Sequence, residues 1–242
     1  MKVPEGAAPA GALSALSAGP ARRGPELWVV RLDDPFLCSL APSVLSSEER
    51  KLAGRFASEE LSRRYAVSHG VLRKLLGRWQ GCSPENVRFV FNDFGKPFVE
   101  GGPWFSLSHS EDVAVIGISP DREIGVDVEK VRPFGGISEI MEQFFAPEER
   151  AWIRSSSFPS EDIGTDGLER RFFRCWTLRE AFTKALGCGL SLPLDTFYIR
   201  FPSADDDGPA VIMREEQSCR AYLQEWFPVA GFAGALALLD KA

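Results

Sequence analysis

The sequence predicts an α+β protein made of two α+β halves of similar size. Three observations carry this. A β-rich run is followed by a long helical stretch and then several short strands; helical stretches and several strands then follow a second time. The two long helical stretches, 59–79 and 168–186, fall one in each half. The 242 residues are 44% hydrophobic and 26% charged, which excludes a mostly disordered chain, a collagen and a coiled coil. The expected divisions are a flexible leader at 1–25, an N-terminal half at 26–122 and a C-terminal half at 123–242. No identity between the halves is visible, so the repeat rests on element order alone.

The leader is rich in Ala, Gly, Ser and Pro, and has too little to bury to offset its ordering entropy. Pro9, Gly11 and Ser14 interrupt its apolar stretch, which argues against a signal peptide. Residues 26–32 (ELWVVRL) read as the first strand, closed by an Asp33-Asp34-Pro35 turn. Ser46 or Ser47 caps a helix with Glu48 and Glu49 in its first turn. In 59–79, Leu61, Tyr65, Ser68, Leu72, Leu75 and Trp79 recur at helical spacing, and Gly81 with Pro84 ends the helix. Short strands are expected at 87–91, 96–99, 104–107 and 113–118, the last two flanking a loop at Ser110. The run 124–129 opens the second half. Helices follow at 138–145 and 147–154, then a polar loop at 155–167. The helix at 168–186 stops at Gly187 and Gly189. Strands at 196–201, 221–226 and 231–239 close the chain, with a turn at 205–208 and a short run at Val211.

Charge and cysteine usage narrow the function. The net charge is −6, from 28 Lys+Arg and 34 Asp+Glu. This gives no support to general nucleic-acid binding. Cys38, Cys82, Cys175, Cys188 and Cys219 are odd in number and form no C-x-x-C pair, so neither a disulfide framework nor a zinc knuckle is expected. A reducing, cytoplasmic compartment follows. Only His69 and His109 are present, too few for a multi-histidine metal site. No apolar run approaches the ~20 residues of a membrane span.

Five segments could carry chemistry. In Gly125-Val126-Asp127-Val128-Glu129, strand alternation puts Asp127 and Glu129 on one face with Val126 and Val128 behind. A cation between two such carboxylates relieves their repulsion, although the pentapeptide alone reads more readily as a half-buried strand. In Trp176-Thr177-Leu178-Arg179-Glu180-Ala181-Phe182-Thr183-Lys184, residues four apart share a stripe, namely Trp176, Glu180 and Lys184. A surface Glu–Lys pair, contributing ~0.3–0.5 kcal/mol, is the plain alternative. Phe172, Phe173, Trp176 and Phe182 make this helix so apolar that its charges suit a cleft better. Phe105-Ser106-Leu107-Ser108-His109-Ser110 ends a strand, and Gly95-Lys96-Pro97 reads as a turn. Arg50, Lys51, Arg55, Arg63 and Arg64 make the first helices basic. Such residues are usually solvated, or hold phosphate if they face a cleft.

Taken in order, Gly-Lys-Pro, Ser-His, Gly-Val-Asp-Val-Glu and Trp-x-x-x-Glu-Ala-x-x-Lys-x-x-Gly-x-Gly-Leu resemble the 4′-phosphopantetheinyl transferases. The match is to the long, monomeric, surfactin-synthetase-activating type and covers roughly residues 48–200. The resemblance implies two halves in a pseudo-two-fold arrangement with the active site in the cleft between them. It implies transfer of the phosphopantetheine arm of coenzyme A to a serine of an acyl- or peptidyl-carrier protein, with adenosine 3′,5′-bisphosphate released. Magnesium, or manganese in its place, would be held by Asp127, Glu129 and Glu180. Glu180 would also take the serine proton, directly or through a water, and Lys184 would stabilise the departing phosphate. Arg64 and His109 would hold the 3′-phosphate of coenzyme A, Ser108 a nearby phosphate, and Lys96 with Pro97 the adenine pocket.

The same resemblance implies carrier docking near Lys130, Arg132, Phe134, Phe144 and Phe145, with at least one of the last two in the core. Neither nucleic acid nor membrane is an expected partner. Two departures stand out: Ser106 replaces a common Asn, and Arg179 replaces a common Lys that would meet phosphate. Glu49 and Leu52 fall where basic residues are common in the family. Two rival readings are a Mg-dependent phosphohydrolase using the same carboxylates and a non-catalytic module that binds carrier domains.

Overall fold

The computed structural model describes residues 13–15, 24–155, 167–189, 196–201, 210–213 and 221–240. The chain divides into one unit of residues 1–93 with 97–121 and a second of 94–96 with 122–242. The architecture is mixed α+β, and among the described residues every strand pairing is antiparallel.

In the first unit, β1 (Leu13–Ala15), β2 (Glu26–Arg31), β5 (Trp104–Ser110) and β6 (Val113–Ser119) form a sheet of order β1-β2-β6-β5. Strand β1 falls within the segment expected as a leader. Residues 13–15 pair with 28–30, using backbone groups on the edge of β2 that β6 leaves open. Helix α1 (Pro35–Val44) stands where a simple turn is expected. Its signal is the Asp-Pro step: Asp34 accepts from the Leu37 N–H and Pro35 occupies the first turn. Helix α2 (Ser47–Ala53) begins with a full capping box between Ser46 and Glu49. Helix α3 (Glu59–Gln80) is capped by Ser58 and stopped by Gly81 at φ 68.

The core of this unit sets Val67, Val71, Leu72, Leu75 and Leu76 of α3 against Ala114, Ile116 and Ile118 of β6 and Phe105 of β5. The expected strands at 87–91 and 96–99 shrink to a two-residue pair, β3 (Val90–Phe91) and β4 (Pro97–Phe98). By contrast, β5 runs on through His109 to Ser110. The turn into β6 is Glu111-Asp112, with Glu111 in the left-handed region at φ 49, and not a loop at Ser110.

In the second unit, β7 (Ile124–Lys130), β10 (Ala221–Trp226) and β11 (Phe232–Leu239) form a sheet of order β10-β11-β7. Helices α4 (Ile137–Phe144), α5 (Pro147–Arg154) and α6 (Gly167–Leu186) and the pair β8 (Phe197–Arg200)–β9 (Ala210–Met213) complete it. Helix α6 packs on the sheet through Phe172, Leu178, Ala181, Phe182 and Ala185, among Ala233, Ala235 and Ala237 of β11. The expected turn at 205–208, residues 156–166 of the expected loop and Cys219 lie outside the described residues.

Candidate functional site

The second unit brings together the acidic strand and the charged stripe of α6. On β7, Gly125, Asp127 and Glu129 point to one side, opposite Ala237, Ala235 and Ala233 on β11. A face of glycine and alanines lets a helix come close. A Cβ on Gly125 would collide with the Ala181 carbonyl and the Ala185 backbone nitrogen, so α6 lies directly on the strand there. Val126 and Val128 are wholly buried on the other face.

This close approach places Lys184 Nζ 2.6 Å from Asp127 Oδ1. Asp127 is 3% exposed, and Lys184 and Glu180 are partly so. Burial first, and then the charge of Asp127, raises the Glu180 carboxyl above its ordinary range, while Lys184 and Arg179 pull the other way. Two carboxylates and an ammonium thus share one small region of low polarity. Glu129 sits one pleat further along β7, partly buried. Among the described residues no group of three or more His, Cys, Asp or Glu side chains is gathered closely enough to hold a metal. The predicted stripe is real, and Trp176 anchors it on Phe172 and Phe145, at ring-centroid distances of 6.0 and 6.2 Å.

Lys96 belongs to the same unit. Its Nζ donates to the Ala185 carbonyl at 2.8 Å, near the C-terminal end of α6, where a cation suits the helix dipole. Burial lowers its ammonium below the usual lysine value. Pro97 opens β4.

Arg64, Ser108 and His109 belong to the first unit. Strand alternation puts Ser106 and Ser108, both buried, on one face of β5 and exposed His109 on the other. His109 lies close enough to His69 on α3 to lower the latter's pKa, though burial is the larger cause. His69 stacks on Tyr65 with centroids 3.9 Å apart, and burial pushes the Tyr65 hydroxyl up to about 12. Arg64 is engaged by three carboxylates: Glu60 at 2.6 Å, Glu111 at 3.1 Å and Asp112 at 3.1 Å. Asp112 also binds Arg63 at 2.9 Å. The sequence signal for this cluster is the Glu-Asp pair just after Ser-His-Ser.

The expectation that Arg179 meets phosphate is corrected. Arg179 is 3% exposed, and its Nη1 donates to both oxygens of Glu149, at 2.7 and 2.9 Å. Its guanidinium lies over the Phe197 ring at 4.5 Å. The helix turns it through about 100° from Glu180, and so into the interior. Of the expected docking residues, Arg132 is exposed, whereas Phe145 is core and Phe134 and Phe144 pack against that core. Phe134 meets Phe172 edge-on at 5.5 Å.

Residues 123–237, which contain β7, α6 and most of β11, match the 4′-phosphopantetheinyl transferase superfamily. The 4′-phosphopantetheinyl transferase HetI of Nostoc sp. is 38% identical over 173 residues, spanning 69% of this chain and 70% of the relative. The chain belongs to the 4′-phosphopantetheinyl transferase superfamily. It is an enzyme of that family, of the surfactin-synthetase-activating type. A 4′-phosphopantetheinyl transferase of Bacillus subtilis is 32% identical over 168 residues, 69% of each chain. The 4′-phosphopantetheinyl transferase Sfp of Bacillus subtilis is 28% identical over 196 residues, 80% of this chain and 82% of its own. Among the described residues of this transferase, no helix is long and apolar enough to cross a membrane.

Proposed function

We propose that this transferase moves the 4′-phosphopantetheine arm of coenzyme A onto a serine of an acyl- or peptidyl-carrier protein, releasing adenosine 3′,5′-bisphosphate. The observation that carries the reading is the junction of β7 and α6, where Asp127, Glu180 and Lys184 meet in a family member.

The donor types suit a divalent cation, although the three carboxylates are not gathered closely enough to hold one as they stand and would have to draw together around it. Asp127 and Glu180 offer hard oxygen donors close enough to feel each other's charge, and Glu129 follows on the same strand face. These three residues would hold Mg²⁺ or Mn²⁺, and the ion would supply charge neutralisation at the pyrophosphate of coenzyme A. A carboxylate whose proton affinity is raised is suited to accept the serine proton, which is the role assigned to Glu180. Lys184 lends positive charge to the departing phosphate. It also pairs with buried Asp127. Lys96 and Pro97 serve the adenine pocket, and Arg64, Ser108 and His109 the phosphates. For Arg64 this requires exchanging a carboxylate partner for a phosphate oxygen. Docking of the carrier falls to exposed Arg132, with Phe134 and Phe144 acting mainly as its apolar support. A monomer in a reducing, cytoplasmic setting goes with this reading, in keeping with free thiols at Cys38, Cys82, Cys175 and Cys188.

The test is the intact mass of an apo carrier protein after incubation with the transferase, coenzyme A and Mg²⁺. The expected result is a gain of one phosphopantetheine, lost on chelation. In parallel, Mg²⁺ alone should raise the melting temperature of the wild type and not of Asp127→Asn. Phosphate release from coenzyme A without any carrier modification would refute the transfer reading in favour of hydrolysis.

A further inference from the structure

Each unit contains a buried glutamate doing the same two jobs. Glu49 sits in the first turn of α2, where it accepts from the Ser46 N–H at 2.8 Å and pairs with Arg73 of α3. Glu149 sits in the first turn of α5, where it accepts from the Ala146 N–H at 2.8 Å and pairs with Arg179 of α6. The flanking sequences correspond as well: Leu-Ser-Ser-Glu-Glu-Arg at 45–50 and Phe-Ala-Pro-Glu-Glu-Arg at 145–150. Both arginines are 3% exposed; Arg73 lies over the Phe89 ring and Arg179 over those of Phe145 and Phe197. Glu149 goes further, since its Oε1 also accepts from the Ile199 N–H at 2.8 Å and so ties β8 to the same point.

The two locks differ in what lies beside them. Arg73 is followed on α3 by Lys74 and then the apolar Leu75 and Leu76. Arg179 is followed at once by Glu180, and Lys184 lies one helical turn beyond that. A carboxylate about 6 Å from a helix axis moves about 1 Å when the helix rotates by 10°. Functional groups need to be held within about 0.5 Å. The contact at Gly125 sets how near α6 lies to β7, but a helix resting on a flat glycine–alanine face can still turn about its axis. The donation of Arg179 Nη1 to both oxygens of a wholly buried carboxylate removes that freedom.

We propose that Glu149 and Arg179 are positioning residues: their buried pair fixes the rotation of α6 and thereby holds Glu180 and Lys184 in register with Asp127. The matching pair Glu49–Arg73 secures its own unit and has no part in the reaction. This inference rests on the transfer reading above.

The test compares Glu149→Gln with Glu49→Gln. Each amide keeps the shape and the cap hydrogen bond and loses the charge; at Glu149 the amide nitrogen also gives up the bond accepted from the Ile199 N–H. Melting temperature, kcat, and KM for coenzyme A are measured on an apo carrier well below the melting transition. Both variants are expected to melt earlier. Glu149→Gln should lose about 10²-fold in kcat, the usual cost of a 1 Å misplacement, with KM changed less than about threefold. Glu49→Gln should keep kcat within about twofold. Arg179→Lys, which preserves the buried charge pair, should retain most of kcat, while Arg179→Met should not. This pair of variants decides the matter should Glu149→Gln fail to fold. Equal kcat losses in the two Gln variants, or an unchanged kcat in Glu149→Gln, would overturn the positioning role. Equal kcat in Arg179→Lys and Arg179→Met would overturn it as well. No transfer by the wild type would instead overturn the functional reading, and the inference with it.

Discussion

Replacing Gly125 by alanine sets a backbone preference against a packing limit, and the structure decides the sign. In a strand, glycine is the weaker choice, and alanine would gain about 0.5–1 kcal/mol from reduced unfolded-state freedom. Here the new methyl would meet the Ala181 carbonyl and the Ala185 nitrogen, with the Ala181 carbonyl carbon only 3.0 Å away. These are backbone atoms in the last two turns of α6 and cannot rotate aside. Ordinary contact lies near 3.5–4.0 Å, so α6 must retreat on the order of 1 Å. Overpacking of this kind typically costs about 1–3 kcal/mol, and the upper end applies because a whole helix moves. Allowing for the backbone gain, the net loss is about 2 kcal/mol. For a chain of this size each kcal/mol is about 2–4 °C, so the melting temperature should fall by about 4–8 °C. Gly135→Ala, where nothing lies within 4 Å, is the control and should melt with the wild type. The retreat also stretches the 2.6 Å contact between Lys184 and Asp127, so carrier modification should slow about 10²-fold. Thermal unfolding followed by circular dichroism and carrier mass spectrometry are the assays. A Gly125→Ala protein that melts at or above the wild-type temperature would refute the argument that α6 rests directly on β7.

Other perturbations test the remaining charges. Lys184→Met leaves Asp127 buried without its cation and should cost about 2 kcal/mol, below the full penalty because Lys184 is a third exposed. Asp127→Asn combined with Lys184→Met should recover about 1 kcal/mol of that in a denaturant double-mutant cycle, and additive losses would show that the two do not interact. Asp112 is held below the usual carboxylate range, first by the hydrogen bond from Arg64 and, against the cost of burial, by that from Arg63. A depressed folded-state pKa means this stability is present above the unfolded value, near 3.9, and is lost as pH falls through the folded one. Asp112→Asn should therefore lose about 1 kcal/mol at neutral pH, with a shallower decline in acid. An identical pH profile for variant and wild type would exclude this contribution.

The legibility of the site followed the range of the interactions involved. The shared face of Asp127 and Glu129 and the stripe of Trp176, Glu180 and Lys184 were readable because strand and helix periodicities act over two to four residues. The helix cap at Ser46, one of the two serines expected there, was local in the same way, whereas the cap at Ser58 and the helix start at Asp34-Pro35 come only with the structure.

The amino-acid sequence by itself determined the α+β class, the order of the main helices and strands, and which side chains on one element share a face. Tertiary structure alone decided which distant partners the site's charges found. Lys184 meets an aspartate 57 residues away because a glycine on β7 lets α6 descend onto the strand. Arg179 is drawn inward by a glutamate 30 residues earlier that also caps α5. Arg64 meets Asp112, 48 residues along, because β5 runs on past Ser110 and places the turn beside α3. Burial and ion pairing are set by which faces are pressed together, and no local spacing in the chain encodes that.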